Sequence, residues 1–389
     1  MADERNLKNI IWALIVLTLA AGAFSSVLFT ELGQFLNLPS SWLYVVYPNL
    51  GWASVVVAIA AVCVVYLSFR YTLMDRRVVI GYVVAIAGMI FVTNYFVPEI
   101  WLRGHHHTAE FITVPEADQM LDDDADVFVI EISGEARAYP RDWMMIPHIA
   151  GDTIGGEDVV MTYCALSNLP LPFSSQIMGE ESHLKVVSQV HNNLVMVDEN
   201  SGELYQQITY STPSGGSQLD PRAAQRMPWR SFKKIYPDGR VFHVVETGLL
   251  GLIDKVTYAL FVSTLEGHYY EGEKPLFPTL SMDDNRLPAK EKIWGVNING
   301  EQVAYTSSFL DQQPLHNTTI GGEPVLLAWF PEYETLGVFS RRINDRVVEV
   351  SNIDVHGITE EGKLGRLPQY PHVFWMIWSH WFPGSGINS

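Results

Sequence analysis

Two cysteines in 389 residues are too few for a disulfide framework, because Cys63 lies inside a long apolar run and only Cys164 remains for the polar part of the chain. Positive charge is also scarce, with 25 Lys plus Arg against 43 Asp plus Glu and a formal net charge of −18. A surface that acidic repels phosphate backbones, which disfavours nucleic acid as a partner and makes basic proteins or cations the compatible ones, the plainer alternative being a solubility coat or an adaptation to salt. Most informative is the complete absence of charged side chains from three stretches, residues 10–30, 50–69 and 78–97.

A bilayer core of about 30 Å takes roughly 20 apolar residues in a helix, so each stretch predicts a membrane span and the chain reads as an integral membrane protein. Arg5 and Lys8 precede the first span, and Arg70, Arg76 and Arg77 stand between the second and third, whereas residues 31–49 carry no Lys or Arg. Cytoplasmic flanks retain positive charge. The N-terminus is therefore expected in the cytoplasm, and the chain beyond the third span in the periplasm or outside the cell. A cleavable signal peptide is the alternative for the first run, with Ala21-Gly22-Ala23 as its cleavage site, but the uncharged stretch continues to Thr30.

Residues 1–97 hold five of the Lys plus Arg and four of the Asp plus Glu, leaving 20 and 39 and a formal charge of −19 for the remainder. That remainder contains an internal repeat. Gly134-Glu135, Ala138-Tyr139 and Thr153-Ile154-Gly155-Gly156-Glu157 return 166 positions later as Gly300-Glu301, Ala304-Tyr305 and Thr319-Ile320-Gly321-Gly322-Glu323. With an offset of 146, Trp229, Phe232, Tyr236 and Pro237 return as Trp375, Trp378, Phe382 and Pro383. Aromatics at i, i+3 and i+7 make one apolar helix face that a following proline ends, so residues 374–382 read as a core helix and not as a membrane-surface stripe.

Short alternating runs predict strands at 127–132 and 136–139, forming a hairpin, and at 159–163, 184–190 and 194–197. The expected fold class is membrane-anchored α+β: three transmembrane helices, then a mainly antiparallel β domain of two pseudo-symmetric repeats. The expected boundaries are an anchor at 1–97, a linker with a short helix at 98–125, a first half at 126–245, a connector at 246–290 and a second half at 291–389. The Gly-Gly pairs supply the positive φ of hairpin turns.

Comparing the halves points to chemistry in the first. Where the second reads Ala328-Trp329-Phe330, the first reads Thr162-Tyr163-Cys164. A lone thiol outside the reducing cytoplasm must be buried, metal-bound, reactive or paired with another chain. His148, His191 and Asn193 are its candidate companions, with Tyr163, Met161 and Met196 as further candidates. Cys, His and Met make a soft ligand set suited to copper or zinc, and a Cys-His pair also suits thiol chemistry. The plainer alternative makes Cys164 a small buried hydrophobe. His105-His106-His107, just past the third span, reads as a metal or pH-sensing cluster or as a polar linker.

The motifs Gly-Glu-Ala-Arg-Ala-Tyr-Pro (134–140), Asp152-Thr153-Ile154-Gly155-Gly156, Thr162-Tyr163-Cys164, Asn193-Leu194-Val195-Met196 and the closing 374–383 segment resemble the bacterial and archaeal family known as domain of unknown function 3179. The resemblance covers nearly all of residues 110–389. Members commonly carry Thr-Tyr-Cys-Pro-Leu-Cys, whereas this chain has Cys164-Ala165-Leu166-Ser167 and lacks the second thiol. The family brings no settled reaction. Two functions are therefore expected: an extracytoplasmic domain with a soft-metal or thiol redox site around Cys164, or a non-catalytic accessory or scaffold subunit that joins other subunits of a membrane complex.

Overall fold

The computed structural model describes residues 2–95, 101–106, 109–213, 215–263, 265–344 and 346–389. The chain divides into two compact units, one made chiefly of the residues up to Ile100 and the other of those from Trp101 onward.

The first unit contains three helices long and apolar enough to cross a membrane, Ala2–Leu28, Leu50–Arg70 and Arg76–Tyr95. The first starts earlier than its apolar run because Glu4, Arg5 and Lys8 are good helix formers. Apolar residues on all sides would suit lipid, and the helices bury only the narrow faces on which Ile11, Ile15, Val64, Tyr82 and Ile86 meet. Small and hydroxylated residues bring them close. A Cβ on Gly22 would lie 2.9 Å from Met89 Sδ, Thr18 shares a 2.8 Å hydrogen bond with the Tyr82 hydroxyl, and Ser26 shares one of 3.0 Å with Thr93.

The second unit is rich in antiparallel sheet. The hairpin of Asp126–Ile132 and Glu135–Pro140 sets Val129 against Ala138. Its turn places Ser133 and Gly134 at φ 52° and 87°, the two positive values that a tight two-residue turn needs. Gln225–Pro228 pairs antiparallel with the first of these strands, and Arg240–Phe242 runs parallel to the second and pairs in turn with Phe111–Thr113. Alternation along the hairpin sends Val127, Val129 and Ala138 toward Trp229 and Phe232 of the helix Trp229–Ile235. Phe128, Ile130 and Tyr139 face the other way, onto Met161 and Tyr163. Those residues belong to a three-stranded sheet, Ile149–Ile154, Glu157–Cys164 and Leu169–Ser174, in which Ile149 opposes Thr162.

Downstream, Lys292–Ile298 and Glu301–Tyr305 form a hairpin that sets Gly295 against Ala304, turning on Asn299 and Gly300 at φ 50° and 83°. Tyr370–Phe374 pairs antiparallel with its first strand and Gly386–Asn388 parallel with its second. A three-stranded sheet of Leu315–Ile320, Glu323–Phe330 and Thr335–Ser340 sets Leu315 against Ala328. The helix Trp375–Trp381 buries Trp375 and Trp378 completely, so the aromatic stripe is core, as its spacing predicts. A Cβ on Gly295 would overlap the Trp378 ring, which requires glycine on that strand.

Candidate functional site

Cys164 ends the strand Glu157–Cys164 and opposes Leu169, so residues 165–168 form the turn that follows it. Its side chain is buried, with Sγ 3.3 Å from Ser167 Oγ. The Ser167 hydroxyl donates toward the sulfur and toward the Asn192 carbonyl, 2.8 Å away, and the thiol itself lies 3.9 Å from that same carbonyl. Asn193 Nδ2 donates to Ser167 Oγ at 2.9 Å and to Gln207 Oε1 at 3.1 Å, and its Oδ1 accepts from Gln206 Nε2 at 2.6 Å and from the Ile208 amide at 3.0 Å. Gln207 Nε2 donates to Thr162 Oγ1, which donates to the Leu171 carbonyl. The network is closed: its polar groups satisfy one another, as buried groups must. Burial pushes the Cys164 thiol above its ordinary pKa despite hydrogen bonds from Ser167 and from nearby backbone amides. The thiolate that nucleophilic or metal chemistry needs is therefore disfavoured.

Of the expected companions Asn193 thus joins Cys164 through Ser167, whereas the two histidines have other partners. His148 is buried in the left-handed region at φ 72°, its ring against the Tyr163 ring. Burial lowers its pKa to about 4, so it is a neutral imidazole. His191, also left-handed at φ 48°, lies against His380 and Trp381 with ring centroids 4.6 and 5.6 Å away. Met161 and Met196 are fully buried core residues. Tyr163 donates to Asn168 Oδ1 at 3.2 Å and lies 3.4 Å from the Tyr270 hydroxyl. Among the described residues no three His, Cys, Asp or Glu side chains gather where they could hold a metal ion. The expected copper or zinc site of Cys164, His148 and His191 is thus not supported, because a soft-ligand set in sequence is dispersed by the sheet into separate packed environments. A cysteine pair is equally unsupported, since Cys63 is exposed on the second membrane helix and Cys164 is buried in the other unit.

The histidines past the third span also find partners. His105 bridges to the strand Ile149–Ile154 through its backbone and lies 3.8 Å from Glu246, and the His106 ring reaches the Leu184 carbonyl. His107 lies outside the described residues.

A cluster of charged residues that sequence reasoning missed forms where the two hairpins approach. Asp126 pairs with Arg226, and both Arg226 and Lys292 lie within electrostatic reach of buried His372. Lys292 stands 166 positions after Asp126 and His372 stands 146 after Arg226. The offset of 166 that relates the hairpin motifs and the offset of 146 that relates the aromatic residues would also have linked these positions, had residues of unlike type been compared along with like ones.

A family model described as protein of unknown function, DUF3179, matches residues 97–385. The chain belongs to this family. The match begins where the third apolar helix ends, so the DUF3179 domain and the three apolar helices are distinct parts of the chain. No curated protein and no solved structure matches it.

Proposed function

We propose that this DUF3179 protein is a membrane-tethered, non-catalytic accessory subunit whose domain is held outside the cytoplasm. The observation that carries this reading is the closed network behind Cys164. Ser167, Asn193, Gln206, Gln207 and Thr162 spend their hydrogen bonds on one another and brace adjoining strands instead of facing a substrate. Topology rests on the Lys and Arg asymmetry of the short flanks.

In this reading the domain consists of two pseudo-symmetric halves, 126–245 and 291–389, joined across 246–290. Strand registers support the pairing. Val129 opposite Ala138 and Ile149 opposite Thr162 correspond at the 166 offset to Gly295 opposite Ala304 and Leu315 opposite Ala328.

Two measurements test the proposal. Alkaline phosphatase fused after Ser389 should be active and the same enzyme fused at Leu73 inactive, and the reverse pattern overturns the topology. Cys164→Ala should complement a deletion strain as the parent does, and loss of complementation by a variant that still folds and inserts would restore a chemical role for the thiol.

A further inference from the structure

The connector holds a helix, Gly248–Thr257, whose amphipathicity is inverted. Its buried positions are Gly251 and Thr257. Asp254, on the same side at helical spacing, forms a 2.5 Å ion pair with Arg103. Leu249, Leu252 and Val256, spaced i, i+3 and i+7, are 72%, 58% and 40% exposed. A helix on a water-facing surface turns its apolar stripe inward, and a contiguous exposed stripe marks an interaction surface.

Two features of the chain say what covers the stripe. Arg103, the ion-pair partner of Asp254, follows Tyr95 of the third membrane helix by eight positions, and eight residues of extended chain reach at most about 28 Å. Chain length therefore keeps Arg103, and Asp254 while it is paired with it, within about 28 Å of the end of the third apolar helix. Its own charges are Asp254 and Lys255 alone, and the rest of the domain is strongly acidic, so anionic headgroups offer no attraction. Apolar burial is the remaining source of affinity, and the tether keeps the local lipid concentration high.

We propose that Gly248–Thr257 lies in the membrane interface with Leu249, Leu252 and Val256 inserted among the lipid acyl chains. It would give the domain a second attachment beside the three spans and fix one of its faces toward the bilayer. The extracytoplasmic assignment is not needed for this, because either side of the membrane offers the same interface.

The test uses the full chain in phosphatidylcholine vesicles. With Cys63→Ser removing the exposed thiol, Leu252→Cys is labelled with an environment-sensitive dye, and Met178→Cys, at a position 90% exposed, serves as the water-facing control. The dye at 252 should be quenched by nitroxide carried on the lipid acyl chains and shielded several-fold from iodide relative to the dye at 178. Adding Leu249→Ser and Val256→Ser should restore iodide access. Equal iodide quenching at 252 and 178 would overturn the proposal, and so would shielding from both quenchers, which would mean that protein, a second copy or another subunit, covers the stripe.

Discussion

The side-chain amide of Asn168 donates to the carbonyl of His372 at 2.9 Å, tying the turn after Cys164 to a strand more than 200 residues away. Asn168 holds a left-handed backbone, at φ 50°. Asn168→Ala should leave the buried carbonyl and the Tyr163 hydroxyl without this partner and force alanine into a left-handed conformation, costing about 3 kcal/mol in all. Asn168→Gly, free of the backbone term, should lose about 2 kcal/mol. Thermal unfolding of the solubilised variants separates the two, and variants as stable as the parent would refute the strut.

Glu131 is a second link between distant segments. Its carboxylate, 5% exposed, accepts from the Tyr236 hydroxyl at 2.8 Å and lies 3.3 Å from Arg366, 3.5 Å from Lys363 and 3.6 Å from His356. Burial pushes its pKa up, but Arg366, Tyr236, Lys363 and His356 together outweigh that and hold it below the ordinary 4.5. A depressed folded pKa gives stability that is complete above the ordinary value and lost as pH falls through the lower one. Glu131→Gln should cost roughly 3 kcal/mol at neutral pH by stranding the buried cation. Its unfolding temperature should then fall less steeply than the parent's below about pH 4.5, and parallel curves would remove Glu131 from the acid response.

Periodicity made much of this legible. Charge-free length gave the three apolar helices, two-residue alternation gave the strands 184–190 and 194–197 to within a residue at each end, and the Trp375 spacing gave a buried helix. Distances across the sheets carried no such signal. His191 stands next to Asn192 in the chain, yet one reaches His380 and the other supplies the carbonyl behind Cys164. Both are left-handed residues of the turn between those two strands, one offering its ring and the other its backbone, so a cluster in sequence became a dispersed set in space. The Asp126, Arg226, Lys292 and His372 grouping failed to stand out for the converse reason, its members being unlike in type and far apart in the chain.

His148 should make the domain sensitive to mild acid. Burial holds its pKa at about 4 against an ordinary 6.5, so the unfolded chain binds the proton more tightly. Stability is complete above about pH 6.5 and falls as pH drops toward 4, by on the order of 3 kcal/mol. His148→Asn suits the left-handed backbone and removes this titration, so its unfolding temperature should vary less than the parent's across that window. His380, lowered to about 4 by burial and by His191, keeps the residual slope above zero. An unchanged slope would show that His148 is already protonated in the fold.

Cys164 provides the sharpest contrast between a reactive and a structural thiol. With Cys63→Ser, labelling by a maleimide reports Cys164 alone. The thiol is 2% exposed, it accepts from Ser167 Oγ at 3.3 Å, and burial raises its pKa. Both thiolate fraction and access are therefore low, and modification must wait for local opening. The folded protein at pH 8 should react at least about 100-fold more slowly than the same protein in denaturant. Cys164→Ala should lose one buried hydrogen bond, about 1 kcal/mol, while Ser167 keeps its bond to the Asn192 carbonyl. Under the proposed accessory role, stability and labelling should respond to this substitution while complementation does not. Rapid labelling of the folded chain would instead place the sulfur at an open site and reverse the structural assignment.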